Sequence, residues 1–444
     1  MKLQDPENVN YAATVASVKA ITKLEGRDNI VGTPFFGMQA IVGKDTQVGD
    51  LGLVFPAETQ LAEEYARMNN LHDHGNLNHD EGVSGYLGDN RRIRAIRLGG
   101  HRSDCLFMPL TSLSYLKNVD VSELKEGDVF DQLNGHEICK KYVKPHTGRN
   151  VLEKNKEKKF VRVDKKFLPE HYDSAHFLRE VEKIPVDTKV VVTQKLHGTS
   201  IRIGNTIVAR ELKFKDKLAK RFGVKVAETE FAHISGSRKV IKDPNNPNQN
   251  HFYSEDIWTK YGKKLEGILP ENFIVYAELI GWTDEGAPIQ KHFTYKVPEK
   301  TADMYVYRIA LVNGQGRIVD LSWEQVKEFC RDNALKYVPE LWTGTVGELS
   351  EVTNKGHGAD EPDILAIEAW FLDKHFEEYG WEGIKPGMHA VPLDKDSPCD
   401  EGVCVRIDGL APYILKCKSP KFVQHESKMA DEEALDLEEE GSNV

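Results

Sequence analysis

The stretch with the most obvious chemical potential is VVTQKLHGTSI, residues 191 to 201. Lys195 follows a run of β-forming residues and precedes a second, SIRIGNTIVAR, so its amine is expected at the end of a strand, on a rigid framework. An amine held in this way becomes a nucleophile when nearby positive charge lowers its pKa. The spacing Lys-x-x-Gly says little alone: it recurs at Lys23, Lys220, Lys264 and Lys355, where it reads as a surface lysine before a turn glycine. What distinguishes Lys195 lies far downstream. Lys416 and Lys418, two apart in YILKCKS, point to one face of a strand, and two ammonium groups brought together there call for an anion such as a polyphosphate. Glu401 and Gly402 open the strand before them. Glu278 sits in the apolar run FIVYAELIGW, where an unpaired carboxylate is costly, so it is expected to meet a metal, a ribose hydroxyl or a lysine. Glu278 and Glu401 together offer the hard oxygen ligands that Mg²⁺ or Mn²⁺ takes, while either acid alone fits an internal salt bridge equally well.

Taken in order, Lys195-Leu-His-Gly198, Arg210, Tyr276-Ala-Glu278-Leu, Tyr305-Val-Tyr307, Glu401-Gly-Val-Cys-Val-Arg406 and Lys416-Cys-Lys418 resemble the nucleotidyltransferase motifs of covalent ligases and capping enzymes. KLHGTS and LKCKSPKF look most like ATP-dependent RNA ligases that seal breaks in duplex RNA. The resemblance implies that Lys195 attacks the α-phosphate of ATP, that AMP passes to an RNA 5′-phosphate, and that an RNA 3′-hydroxyl displaces it. It implies catalytic roles for Lys195, Glu278, Glu401, Lys416 and Lys418. Nucleotide contacts are expected from Leu196, His197, Gly198, Arg210, Glu278, Lys416, Lys418 and one of Tyr307 and Tyr305, which would stack on adenine. Glu278 and Glu401 would hold the metal. Arg406, Lys421, Arg92 and Arg94 are expected to meet the RNA backbone, although Arg92 and Arg94 could equally mark the wet side of a barrel. His197 could equally be a hydrogen-bonded loop histidine. Arg308 stands where the family usually has an acid.

To position these groups the chain should be α+β: an N-terminal OB-type β-barrel, then a nucleotidyltransferase domain of mixed antiparallel sheets and helices, ATP-grasp-like in layout. Short strand-like runs (ATVASVKAI, FFGMQAIVG, VGDLGLVFP, RRIRAIRLGG, DCLFMPL) separated by turn residues predict the barrel. RRIRAIRLGGHRSDCLFMPL with VGDLGLVFP resembles the OB module of the Deinococcus-type RNA ligases. The expected boundaries are 1–142 for that module, 143–168 for a basic linker, 169–428 for the nucleotidyltransferase domain and 429–444 for an acidic, disordered tail. SWEQVKEFCRDNAL is a helix with Ser322 as its N-cap, residues 365 to 379 pattern as another, and the Asn-Pro-rich 243–250 is a loop.

A 444-residue chain exceeds the size of one core. No apolar run is long enough to span a bilayer, and six scattered cysteines fit reduced thiols, so a cytoplasmic protein is expected. The net charge of -11 argues against a polyanionic partner until the acidic tail is set aside. In HDHGNLNHDEG, His72, His74 and His79 lie near Asp73, Asp80 and Glu81, a composition that suits either a metal or an ordinary polar loop. Two alternatives share the motifs or the fold: a guanylyltransferase of the capping type or a DNA ligase, and a nucleic-acid-binding protein without catalysis.

Overall fold

The computed structural model describes residues 3–143, 162–171, 173–242, 253, 255–351, 390–410 and 413–431. Most of the basic linker, the 243–250 loop, the expected helix at 365–379 and the acidic end from 432 lie outside these residues. The architecture is α+β. In the N-terminal region, strands β1 (Ala13–Ser17), β2 (Thr22–Lys23), β3 (Ile30–Phe35), β4 (Met38–Gly43), β5 (Leu51–Pro56), β6 (Cys105–Pro109) and β7 (Val129–Phe130) form one sheet in the order β7-β1-β5-β6-β4-β3-β2. Its ladders are antiparallel except for a parallel step between β4 and β6. Among the described residues no ladder joins β7 to β2, so the sheet is open along this path rather than a closed barrel. One face packs a core around Phe55, Tyr65 and Phe130, the other a smaller one around Phe35 and Val54.

RRIRAIR departs from expectation. Only Ile96–Leu98 is a strand, and the chain before it turns Arg92 inward, with 2% of its side chain exposed. Its guanidinium bonds both oxygens of Glu58 at 2.8 Å, Asp431 at 2.7 Å and the Ser427 carbonyl at 3.0 Å. Arg92 therefore has no face toward a phosphate. Arg94 stays exposed beside Asp431. Ser427 and Asp431 belong to a helix beyond the last expected strand, Pro420–Asp431, which is thereby clamped onto the N-terminal region; Gln424 adds a bond to Asp104. Arg92→Ala leaves the partly buried Glu58 without its cation and is expected to cost about 3 kcal/mol, measured as a lowered midpoint of denaturant unfolding.

Two sheets face each other in the remainder. The first has four strands, β8 (Lys189–Lys195), β15 (Glu340–Thr345), β16 (Gly402–Ile407) and β17 (Tyr413–Lys418), in the order β15-β8-β16-β17. The second comprises β9 (Thr199–Ala209), β10 (Thr229–Gly236), β11 (Phe273–Gly281), β12 (Ala302–Val312) and β13 (Ile318–Asp320), in the order β10-β9-β11-β12-β13, with β14 (Lys336–Tyr337) parallel to β12. Alternation explains the arrangement. Val190, Val192, Val403, Val405, Leu415 and Cys417 cover the outer face of the first sheet and pack with Phe177 and Val181. Ile201, Ile203, Val275, Ala277, Leu279 and Val306 do the same for the second, against Trp258 and Trp323. The polar alternates are left on the inner faces. Helix α1 (Trp323–Asp332) starts as expected at Ser322, whose hydroxyl and the Gln325 side chain form a reciprocal capping box. Helix α2 (Pro420–Asp431) follows β17 directly.

Candidate active site

Strand register assembles the site. Lys195 pairs with Gly402, which pairs with Lys418; one row down, Thr193 pairs with Cys404, which pairs with Lys416. Directly opposed residues share a face, so Lys195 of β8 and Lys416 and Lys418 of β17 all project inward, with β16 between the two strands. Gly402 stands between two of them without a side chain, at φ 144°, where a Cβ would strike the Cys417 carbonyl. Across the gap, Ser200 of β9 pairs with Glu278 of β11. Together these groups line a cleft of 680 Å³ with Leu196, Tyr307, Glu401 and Arg406.

Lys195 Nζ lies 2.7 Å from Glu401 Oε1. Glu401 is 2% exposed; burial alone would raise its pKa, but Lys195 and His197 outweigh it and hold the carboxyl well below the usual range. Its Oε2 is buried, makes no hydrogen bond and faces His197 Nδ1 at 3.5 Å. His197 does not line the cleft. Its N–H donates to Tyr295 Oη at 2.8 Å, and its ring is wedged edge-on between Phe293 and Phe422. Gly198 is likewise structural: its N–H donates to Glu278 Oε1 at 3.0 Å, and a Cβ would collide with the Leu279 carbonyl at 2.1 Å. The second oxygen of Glu278 accepts from Ser200 Oγ at 3.2 Å.

Burial and then the charges of Lys418, Lys195 and Arg238 push the Lys416 ammonium down to about 8. Lys418 goes the other way: burial opposes its charge, yet Glu426 of α2, 2.6 Å away, raises it well above its ordinary value. Behind the nucleophile strand, the Gln194 side chain donates to Asp400 at 2.9 Å and exchanges two bonds with the backbone of Val391. This ties the Lys195 and Glu401 segments together. Burial lifts Asp400 to about 7.

The alternatives at Tyr305 and Tyr307 separate here. The ladder between β11 and β12 shifts between Tyr276 and Ala277, whose partners are Arg308 and Val306, so Tyr307 is an extra residue on a bulge. Tyr307 lines the cleft and Tyr305 does not; Lys336 lies over the Tyr305 ring. Arg308 is 1% exposed and paired with Asp320 at 2.5 Å, a buried structural ion pair.

Other expected contacts are corrected. Arg210 follows an 11-residue strand that leads away from Lys195, and it bonds the Ala227 carbonyl and Asp216 instead of reaching the cleft. An arginine of the cleft lining that was not expected is Arg238: Arg202 pairs with Gly236, so the returning strand brings residue 238 back to the level of Ser200. Arg406 reaches the cleft wall, but its guanidinium donates to Asp408 and to the carbonyls of Tyr307 and Leu321, which holds it inside the protein. Lys421 is exposed on the first turn of α2, outside the cleft lining. Missed altogether were half-buried His171, edge-on to Tyr307 at 5.2 Å, and Lys140 and Lys141 from the N-terminal region. The Lys-Lys pair was visible in the sequence; its approach to the cleft was not. In the histidine-rich loop, Asp73, His74 and Asp89 converge within 4.8 Å, whereas His72 is buried and its backbone is held by Asn78.

Such a constellation, a lysine between a buried glutamate and two further lysines in a cleft between antiparallel sheets, defines a covalent nucleotidyltransferase. The RNA ligase family model matches residues 188–418, more than half of the chain, and the protein belongs to that family. No curated protein matches it. The fold is shared with Naegleria gruberi RNA ligase: the structure with pyrophosphate is 16% identical, with a TM-score of 0.55, over 95% of this chain and 100% of that one. A ligand-free structure of a variant gives 16%, 0.54, 95% and 99%, and another variant with ATP and manganese gives 16%, 0.52, 95% and 98%. Among the described residues no helix is long and apolar enough to cross a membrane.

Proposed function

We propose that this RNA ligase uses ATP to join RNA 3′-hydroxyl and 5′-phosphate ends in nicked duplex or broken structured RNA. The observation that carries the reading is the single inward face holding Lys195, Lys416 and Lys418 opposite Glu278. Lys195 Nζ loses a proton and forms a bond to the α-phosphorus of ATP as the bond to the β-phosphate oxygen breaks and pyrophosphate leaves. Lys416, Lys418 and Arg238 face the phosphates and offset the charge that builds on their oxygens. Tyr307 offers a face for adenine. The adenylyl group then passes to the RNA 5′-phosphate, and the 3′-hydroxyl displaces AMP.

The donor set suits a divalent cation. Mg²⁺ is held by one or two carboxylates with substrate phosphates and waters completing the shell, and Glu401 with Glu278, both in the cleft lining, would supply that pair. When bound, the ion would neutralise polyphosphate charge and orient the leaving group. In this reading residues 1–142 form an OB-type nucleic-acid module of the Deinococcus kind, 143–168 a basic linker, 169–428 the catalytic domain and 429–444 an acidic end whose first residues, to Asp431, complete α2, in a cytoplasmic protein. Lys140 and Lys141 would extend the nucleic-acid path from the module into the cleft.

Two predictions arise here. Arg238→Ala should weaken adenylate formation by about tenfold or more, whereas Arg210→Ala should leave it within about twofold; rates with labelled ATP separate the two. Lys416, half-charged near pH 8, is favoured in its protonated form by a bound polyphosphate. ATP binding should therefore take up protons near pH 8 and weaken as the pH rises beyond it, which calorimetry in buffers of different ionisation enthalpy would detect. The function itself is tested on matched nicked duplexes with RNA or DNA on each side of the nick. Sealing that requires a ribonucleotide at the 3′-hydroxyl side is expected; indifference to that sugar, or labelling by GTP alone, would overturn it.

A further inference from the structure

The hairpin that carries Arg210 away from the cleft ends in a feature the adenylylation chemistry does not use. Between β9 and β10 the chain reads KFKDKLAKRFGVK over residues 213–225, six cations against one acid in a protein whose net charge is -11. Phe214–Arg221 is a helix with no buried residue. Phe214 is 80% exposed and Phe222 76%, with Leu218 and Val224 exposed beside them, a concentration of large apolar side chains on water that folding alone does not explain. The charges are largely uncompensated. Asp216 is taken by Arg210 and Lys220 by Glu228, while among the described residues Lys213, Lys215, Lys217, Arg221 and Lys225 have no ion-pair partner.

We propose that this hairpin tip is a second docking surface for the RNA duplex, gripping it at a distance from the end being sealed. Lysines bond phosphates while Phe214 and Phe222 lie against exposed sugar and base edges, the pairing of cations and aromatics that nucleic acid recognition uses. Geometry favours RNA over other anionic surfaces. The inner end of the hairpin, Ser200 with Arg238, lines the cleft, and its 11-residue strand spans about 33 Å. The tip thus sits on the order of one helical turn of duplex, roughly ten base pairs or slightly more, from the reacting phosphate. A duplex anchored at the cleft and running along the hairpin would meet both. The inference rests on the RNA ligase reading, and the experiment is chosen to separate the two.

Full-length protein carrying K215E, K217E and R221E, and a second variant carrying F214S and F222S, are compared with wild type. Three measurements are made: covalent labelling with ATP, affinity for a nicked RNA duplex across a salt series, and binding to vesicles rich in phosphatidylserine. Both sets lie outside the nucleotide cleft and on exposed positions, so labelling should match wild type. The charge variant should bind the duplex about tenfold or more weakly at 0.1 M salt, with the slope of log affinity against log salt reduced by roughly two to three. The aromatic variant should lose affinity with its salt slope unchanged. Trimming the duplex to fewer than roughly ten base pairs on the hairpin side should reduce wild type to the level of the charge variant. Unaltered affinity and slope in both variants would overturn the proposal. So would variants that lose vesicle binding while keeping RNA affinity, which would make the tip a membrane contact. Absence of labelling in wild type would instead sink the ligase reading.

Discussion

Lys195→Met is expected to abolish the covalent nucleotide adduct and the sealing of 5′-phosphate ends, a loss on the order of 10⁴-fold or more, while sealing of a strand supplied already adenylylated persists. The expectation follows from position. Lys195 terminates β8, its neighbours Leu196 and Gly198 are fixed by burial and by the Leu279 backbone, and its amine is 2.7 Å from Glu401. Methionine keeps the length and packing of the stem, so the cleft should retain its shape and its phosphate-facing lysines. Only the bond-forming nitrogen is lost. Neither Lys416 nor Lys418 can replace it: both stand on β17, two strands from β8, and Lys418 is held by Glu426. Loss of sealing with the adenylylated strand as well would mean that the substitution had damaged the whole cleft.

The second large effect is expected at Glu401. Glu401→Gln should slow adduct formation by about 10² to 10³-fold with little change in secondary structure by circular dichroism. The buried carboxylate faces Lys195 and His197 at once and stays ionised throughout the physiological range because those neighbours outweigh burial. A neutral amide preserves shape but removes the charge that orients the amine, and it presents an N–H where His197 or a cation needs an oxygen. His197, caged by Phe293 and Phe422, cannot move away to compensate. A Glu278→Gln variant offers a contrast: Glu278 accepts from Gly198 and Ser200, so its loss should also loosen the turn that follows Lys195.

Strands and their faces were the most legible part of the sequence. The spacing of Lys416 and Lys418 in YILKCK put both on one face of a strand, and VVTQK followed by SIRIGNTIVAR put Lys195 at a strand end. The continuous apolar run around Glu278 marked a strand buried on both sides, as β11 is. What failed was everything that depends on where the chain returns. Arg210 looks close to Lys195 in sequence but is a strand length away; Arg238, 43 residues on, comes back because β10 folds against β9. The bulge that sorts Tyr307 from Tyr305 has no local signature. RRIRAIR alternates as a strand would, yet Glu58 and Asp431, the latter 339 residues from Arg92, turn that arginine inward. Helix α2 was hidden for the same reason: its acidic end resembles a solvated tail until the cations it meets in the N-terminal region are known.

The central claim is that Lys195 carries the nucleotide. It is tested most directly by incubating the protein with ATP and Mg²⁺, digesting it, and locating the modified residue by mass spectrometry. The expected result is AMP bound to Lys195 in the peptide containing KLHGTS, with no adduct in Lys195→Met. An adduct on a different lysine, or none with ATP and one with GTP, would contradict it.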